Sequence, residues 1–187
     1  MLVDGRRTLL LLAVISVLPM FAAYVVYRNW HPTHSVNYGE LLATTRLPNG
    51  ELTDLAGKGF SSDALHGKWQ LVTIQPPSCD SRCQRSLYYI RQVRLTQGEN
   101  RSRIGRLWLL SGTGTPDPKL LAEHPGLLVA RALNPAWLSA FPAKGDRSAH
   151  IYLIDPLGNF VLRYDDGADP KGMIKDLTRL LQVSQIG

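Results

Sequence analysis

The sequence predicts an α/β fold, in which a layer of strands lies between helices, preceded by one transmembrane helix. Two patterns predict this class. Positions 8–27 form an apolar run of twenty residues without a charge. Further along the chain, short apolar segments typical of buried strands alternate with longer segments whose apolar residues recur at helical spacing. Such alternation favours a domain whose helices cover its sheet.

The first element is the apolar run at 8–27. With a rise of about 1.5 Å per residue, it is about long enough to cross the roughly 30 Å hydrocarbon core of a bilayer. A signal peptide is the alternative, but its apolar region has about 7 to 15 residues and small residues follow it. Here the bulky sequence YVVYRNWHP ends the run. Residues 1–28 are therefore predicted to be a short cytoplasmic tail and a transmembrane anchor.

Flanking charge sets the orientation of this anchor. Arg6 and Arg7 precede the apolar run, whereas only Arg28 closely follows it. The positive-inside rule then places the N-terminus in the cytoplasm. We expect a single-pass protein of the inner (cytoplasmic) membrane with its C-terminal domain on the periplasmic side, where disulfides can form and persist.

The exported part is basic. The chain carries a formal net charge of +6, and the segment 82–106 is rich in arginine. Nucleic acid is excluded as a partner outside the cytoplasm, so an anionic lipid headgroup, an acidic patch on a membrane protein, or plain solvent remain for these side chains. The basic residues in question are Arg82, Arg85, Arg91, Arg94, Arg101, Arg103 and Arg106.

Residues 29–62 are predicted to be a tether with a docking strip. Pro, Asn and Gly separate short apolar pieces there, and Asn49–Gly50 is a strong turn signal. Leu47 and Leu52 flank this turn, and we expect them to pair in a small hairpin that packs on the domain. The domain itself is predicted to span residues 63–187.

Within the domain, strands and helices alternate. The strand at 68–74 is short, apolar and bounded by Gly67 and Pro76. The remaining elements follow from apolar spacing and from Gly and Pro punctuation. They are a helix at 80–97, a strand at 106–112, a helix at 117–124, a strand at 126–133, a short helix at 135–141, two strands within 149–164 and a terminal helix at 169–183.

Both cysteines lie where the first of these strands passes into the first long helix. At a helix N-terminus, free N–H groups and the helix dipole favour the thiolate form, and Arg82 would add to this effect. The spacing i, i+4 places Cys79 and Cys83 on one helical face, with Cα atoms about 6 Å apart, within reach of a disulfide. Two thiolates also suit Cu(I). A redox pair, a copper site and a structural disulfide all remain open, although so short a loop gives a structural disulfide little entropic benefit.

Residues 64–185 resemble the Sco/SenC proteins. The resemblance rests on GKW before the first strand, the C-x-x-x-C pair at the strand-to-helix turn, YLIDPLGNFVLRY and PKGMIKDLTRLL. It implies a thioredoxin-like three-layer fold, a central mixed sheet flanked by helices. It also implies a role in assembling the copper site of cytochrome c oxidase, with an oxidase subunit or a copper chaperone as partner. Cys79 and Cys83 match the copper-binding and redox-active cysteines of that family.

The sequence departs from the family at the third copper ligand. The family places a histidine in an Asp-His pair five residues before the Tyr of the YLI strand, where this chain has Asp146–Arg147. A guanidinium cannot coordinate copper. His150 is the candidate substitute if the loop shifts register, although strand alternation points it away from the face of Arg147. Arg147 is instead expected to stabilise a thiolate. The family's prolines within the cysteine motif are also missing.

Three hypotheses follow. In the first, the chain is a thiol–disulfide oxidoreductase in oxidase assembly, with a more exposed Cys79 as attacking thiolate and Cys83 as resolving thiol. In the second, it delivers Cu(I) through Cys79, Cys83 and either His150 or an exogenous ligand. In the third, it is a non-catalytic, membrane-tethered scaffold with an inert disulfide.

Overall fold

The computed structural model describes residues 5–29 and 36–186. Most of the predicted cytoplasmic tail and the start of the predicted tether lie outside the described residues. The chain divides into two compact units, Met1–Val36 and Asn37–Gly187.

In the first unit, helix α1 spans Gly5–Asn29. It is long and apolar enough to cross a membrane, and none of its residues is buried. The predicted apolar helix is therefore present, and its length and composition suit a membrane anchor.

The second unit is built on one mixed sheet, whose strands are β1 Glu40–Leu41, β2 Glu51–Asp54, β3 Gly59–Ser61, β4 Trp69–Gln75, β5 Ile104–Leu110, β6 Leu128–Ala132, β7 His150–Ile154 and β8 Phe160–Asp165. Their order in the sheet is β1-β8-β7-β4-β5-β6-β2-β3. Strand β4 pairs in parallel with β5, and β5 with β6, while the other pairings are antiparallel. All seven residues of β4 are buried, as a central strand covered on both faces requires.

Three α-helices accompany the sheet: α2 Ser81–Leu95, α3 Pro118–Glu123 and α4 Pro170–Val183. Short 3₁₀ turns occupy Ser62–Leu65, Gly98–Arg103, Pro135–Ala140 and Arg147–Ala149. An aspartate caps the start of each α-helix in this unit, and its carboxylate accepts a hydrogen bond from a backbone N–H of the first turn. The order and type of the predicted elements are confirmed, except that 135–141 forms a 3₁₀ turn rather than an α-helix.

Two apolar clusters lie on opposite faces of the sheet. Ile151 and Leu153 of β7 belong to the cluster that includes α2, α4 and both cysteines. Tyr152 and Ile154, which alternate with them, belong to the cluster that includes Phe141 on the other face. The expected layered α/β fold is thus confirmed, with the mixed sheet between helices on one face and turns on the other.

The segment predicted as tether and docking strip supplies β1, β2 and β3. The predicted pairing of Leu47 with Leu52 is wrong. Leu52 pairs with Phe60 and Ala132, whereas the N–H of Leu47 donates to the carbonyl of Gly158 at 2.8 Å. Both leucines are nevertheless buried in the domain, as expected.

Gly50 is needed for packing and not for a hairpin turn. A Cβ atom at this position would lie 2.4 Å from Nε1 of Trp137. The same indole nitrogen donates to the carbonyl of Pro48 at 2.8 Å. Only a glycine therefore lets the chain pass so close to the ring.

Asp176 of α4 fixes the beginning of the second unit. Its buried carboxylate accepts hydrogen bonds from the N–H groups of Tyr38, at 3.0 and 3.1 Å, and Gly39, at 2.9 Å. It also accepts one from the hydroxyl of Tyr164 at 3.2 Å. Burial, followed by the charge of Asp176 and this hydrogen bond, raises the pKa of Tyr164. Residues 38 and 39 are thereby held on α4.

Candidate functional site

The two cysteines form a disulfide with a Cα–Cα distance of 5.0 Å. Cys83 is the third residue of α2, whereas Cys79 lies one residue before the N-cap, Asp80. Cys79 has a φ of 41°, in the left-handed region that residues other than glycine rarely adopt. Its N–H donates to the carbonyl of Pro76 at 3.1 Å. The expected disulfide reach is confirmed, but a tight turn, not a shared helical face, brings the sulfurs together.

Both sulfurs are buried in the oxidised protein. The exposed fraction is 4% for Cys79 and 0% for Cys83. They belong to the same cluster as Leu87 and Trp108. The expectation of an exposed Cys79 is therefore wrong for this state, because its side chain belongs to the same buried cluster as that of Cys83. In this state the disulfide is therefore shielded from the thiolate of another protein.

Asp80 is a site residue that the sequence reasoning missed. Its carboxylate accepts a hydrogen bond from the N–H of Cys83 at 3.0 Å. The carboxylate stabilises the start of α2, but its negative charge opposes a thiolate at the same helix end. The signal was available, because aspartate directly before a helical segment is a strong N-cap pattern.

Two arginines in the first turns of α2, Arg82 and Arg85, pair with carboxylates of other segments. Nη1 of Arg82 lies 3.4 Å from Oδ2 of Asp146, and its Nε lies 3.5 Å from Oδ2 of Asp166. Nη2 of Arg85 lies 2.7 Å from Oδ1 of Asp166, and this hydrogen bond, with the carboxylate charge, raises the pKa of Arg85. Arg82 therefore divides its charge between two carboxylates. Its predicted role as a thiolate-stabilising residue stays a prediction.

Asp146 takes part both in the ion pair with Arg82 and in the turn at Arg147–Ala149. Hydrogen bonds from the hydroxyl and the N–H of Ser148, followed by the charges of Arg82 and His150, lower the pKa of Asp146. The adjacent residue, Arg147, donates from Nε to the carbonyl of Phe141 at 3.1 Å. A second bond, from Nη2 of Arg147 to the carbonyl of Ser139, measures 3.3 Å. The guanidinium of Arg147 thus ties two loops together, and its predicted action on a thiolate stays a prediction.

The structure does not bring His150 to the cysteines. His150 opens β7, and its ring centroid lies 6.0 Å from that of Tyr152, its neighbour on the same strand face. Ile151, between them, belongs to the cluster that holds both cysteines. Strand alternation therefore places the imidazole on the opposite face of the sheet. Its Nδ1 lies 2.8 Å from Oδ1 of the exposed Asp165, in a contact whose angle does not make a hydrogen bond.

This placement bears on metal binding. Across residues 5–29 and 36–186, no group of three or more His, Cys, Asp or Glu side chains is arranged to hold a metal ion. Reduction of the disulfide would provide two sulfur donors, which suit Cu(I). A third donor would have to come from elsewhere, and the role of His150 as a metal ligand stays a prediction.

Several arginines of the basic segment have partners inside the domain. Nε of Arg94 donates to the carbonyl of Ile104 at 2.8 Å. Arg103 donates to the carbonyls of Leu181 and Ser184 at the end of α4, at 3.0 and 2.7 Å. These residues stabilise chain ends and turns, so the arginine-rich segment is not one continuous free basic surface.

A family model described as transmembrane-like, thioredoxin-like, C-terminal domain matches residues 69–184. Comparison with curated proteins gives no match. Among solved structures, yeast Sco1 with copper bound is similar, with a TM-score of 0.64 and 19% identity over 76% of this chain and 96% of that one.

Two further structures have this fold. ScoI of Bradyrhizobium japonicum with copper bound has a TM-score of 0.56 and 24% identity, over 72% of this chain and 99% of that one. BsSco has a TM-score of 0.59 and 12% identity, over 78% of this chain and 98% of that one. It is described as a member of the Sco family of cytochrome c oxidase assembly proteins in which a disulfide switch was identified. The resemblance to Sco proteins is thus confirmed in the fold.

Proposed function

Because this chain belongs to the family of transmembrane-like, thioredoxin-like C-terminal domains, we propose that it is a membrane-anchored Sco-like protein that performs thiol–disulfide exchange in assembly of the cytochrome c oxidase copper site. The observation that carries the proposal is the disulfide between Cys79 and Cys83 at the boundary of β4 and α2. The anchor would lie in the inner membrane with the domain in the periplasm. Its client would be an oxidase subunit or a copper chaperone.

The exchange begins from the reduced pair. The thiolate of Cys79 attacks one sulfur of a client disulfide, which forms a mixed disulfide and releases the client's first thiolate. The thiolate of Cys83 then attacks the sulfur of Cys79 and releases the second. Two electrons pass to the client, whose cysteines become free to bind copper, and the Cys79–Cys83 disulfide is the product. A thiol reductant has to regenerate the dithiol.

The turn at Cys79 supports such a cycle. A non-glycine residue with positive φ is strained, by about 1–3 kcal/mol in unfavourable cases. In the oxidised protein the covalent bond to Cys83 helps to hold Cys79 in this conformation. Reduction removes that restraint, so we expect the segment from Pro76 to Cys79 to relax and to expose the sulfur of Cys79.

Copper delivery is the second candidate function. Two Sco structures of this fold are described with copper bound. In this chain the copper would be cargo held by the reduced Cys79 and Cys83, and the position of His150 behind the sheet leaves the third donor to water or to the client.

A scaffold with an inert disulfide is the third candidate. The burial of both sulfurs favours it, because a shielded disulfide exchanges slowly. In this case the Cys79–Cys83 disulfide would only link the turn that begins at Pro76 to helix α2.

One experiment separates the three functions. The full chain in detergent, reduced and anaerobic, is incubated with an oxidised dithiol peptide, and the Cys83→Ser variant serves to trap the mixed disulfide at Cys79. A trapped adduct, absent in Cys79→Ser, is the expected result. In parallel, Cu(I) is titrated against a competing chelator with His150→Ala as control. Copper binding without an adduct would support copper delivery instead of exchange. If neither an adduct nor copper binding is observed, the scaffold function remains.

A further inference from the structure

Arg106 is a buried guanidinium with unsatisfied donors. It lies on β5 between Ile104 and Trp108, on the sheet face that carries both cysteines, and is 4% exposed. Its Nη2 donates to the carbonyl of Pro125. Its Nε and Nη1 are shielded from solvent and have no hydrogen-bond partner in the described chain. A buried cation without an anionic partner is unfavourable, so this arrangement needs an explanation.

Nδ1 of His124, near Arg106, is a second buried polar atom without a hydrogen-bond partner in the described residues. This residue follows α3 and is 6% exposed. Burial, followed by the charges of Arg106 and Arg91, lowers the pKa of His124. Burial, followed by the charges of Arg94 and Arg91, lowers the pKa of Arg106 to about 10. At neutral pH the pair therefore holds one buried positive charge and one neutral imidazole.

An apolar groove of about 380 Å³ adjoins these two residues. Its wall is the segment 124–126, and a Cβ atom placed on Gly126 would lie only 3.8 Å from Nη2 of Arg106. Leucines line most of the rest of the groove, and two of them, Leu55 and Leu128, are 45% and 37% exposed. Asp54 also lines it, with Oδ1 accepting hydrogen bonds from the N–H groups of Ala56 and Lys58, and the lining is completed by Ala56 and Val129. One layer of chain thus separates the apolar groove from the buried guanidinium.

We propose that Arg106 and His124 form a binding site for a carboxylate group whose aliphatic body lies in the adjoining groove. The planar guanidinium fork matches a carboxylate in two parallel hydrogen bonds. A monoanion balances the single buried charge, whereas a phosphate dianion would leave one negative charge uncompensated. The leucine-lined groove fits an aliphatic chain. Because the groove has a volume of only about 380 Å³, the occupant is a free carboxylic acid with a short aliphatic chain. An acidic side chain of a protein partner is the alternative that the test separates.

Binding of the carboxylate replaces the present hydrogen-bond acceptor of Arg106, the Pro125 carbonyl, with a charged acceptor. The carboxylate takes the place of the Pro125 carbonyl on Nη2 of Arg106 and accepts a second hydrogen bond from Nη1 or Nε. The segment 125–127 moves aside as this happens. Charged acceptors bind a guanidinium more strongly than a neutral carbonyl does, so the exchange is favourable.

The test uses the full chain in a nonionic detergent and a carboxylate-free buffer. Calorimetric titration and thermal unfolding followed by tryptophan fluorescence are measured with 4-methylpentanoate, with its isosteric amide, and with inorganic phosphate. The peptide acetyl-Leu-Glu-Leu-amide and its Gln counterpart form the partner arm. Arg106→Met, Arg106→Lys and His124→Gln probe the site. Arg131→Met is the matched control, since Arg131 also donates to a backbone carbonyl, that of Gly114.

We expect saturable binding of 4-methylpentanoate, with a rise in unfolding temperature, and no effect of the amide. Binding of the Glu peptide without binding of 4-methylpentanoate would contradict the free acid as occupant. Affinity should fall about tenfold to a hundredfold in Arg106→Met, which loses two charge-assisted hydrogen bonds. It should fall less in Arg106→Lys and His124→Gln and stay unchanged in Arg131→Met. Equal binding by Arg106→Met, equal binding of acid and amide, or a response to phosphate alone would overturn the proposal.

Discussion

Replacing Asp176 by alanine should strongly destabilise the domain. The carboxylate accepts hydrogen bonds from three buried or half-buried donors, the N–H groups of Tyr38 and Gly39 and the hydroxyl of Tyr164. Hydrogen bonds to a charged group contribute about 1.5–3 kcal/mol each, and the hydration that the carboxylate regains on unfolding offsets part of the sum. The net loss in free energy of unfolding should be about 3–5 kcal/mol, because three donors lose their acceptor and each buried donor left unpaired costs about 1–3 kcal/mol.

The assay is equilibrium unfolding of the full chain in guanidinium chloride, followed by tryptophan fluorescence. Tyr164→Phe is the graded control, because it removes one donor and leaves Asp176 with two. Its loss should be about 1–2 kcal/mol. A loss below about 1 kcal/mol for Asp176→Ala, or equal losses for the two variants, would refute the reasoning that Asp176 fixes residues 38 and 39 to α4.

Three further predictions concern single residues. Gly50→Ala places a Cβ atom 2.4 Å from Nε1 of Trp137, so the free energy of unfolding should fall by about 1–3 kcal/mol in denaturant titration, and an unchanged midpoint would contradict the packing account. Burial raises the pKa of Tyr152 to about 12. The stabilisation from this raised pKa is fully present below about pH 10, the pKa of tyrosine in the unfolded chain, and is lost as the pH rises toward 12. The free energy of unfolding should therefore fall by about 1.4 kcal/mol by pH 11. Tyr152→Phe should remove this part of the pH dependence of stability. Asp80→Ala should lower the free energy of unfolding by about 1 kcal/mol, because the helix cap is lost. In the reduced protein the same change should speed the alkylation of Cys83 by iodoacetamide. Slower alkylation would show that the carboxylate does not oppose the thiolate.

The order of elements was predictable because local signals mark their ends. Strand β4 lies between Gly67 and Pro76, and a continuous apolar run identified it as buried on both faces. The cysteine pair was predictable for the same reason, since the junction of strand and helix is visible in the sequence.

Long-range contacts were not predictable. The carboxylate of Asp176 meets backbone groups 137 and 138 positions away, and no local pattern in the sequence indicates such a contact. Cys79 is buried and has a left-handed backbone conformation, and sequence periodicity encodes neither feature. The Asn49–Gly50 pair showed how a turn signal misleads, because the glycine serves the packing of Trp137.

The central claim is that the Cys79–Cys83 disulfide is redox-active. It is tested most directly by its reduction potential, measured on the full chain in detergent equilibrated with thiol–disulfide buffers, with free thiols counted by mass tagging. An exchange protein should have a potential between about −270 and −120 mV, the range of thiol–disulfide oxidoreductases. A potential below about −300 mV, as is typical of structural disulfides, would contradict the claim.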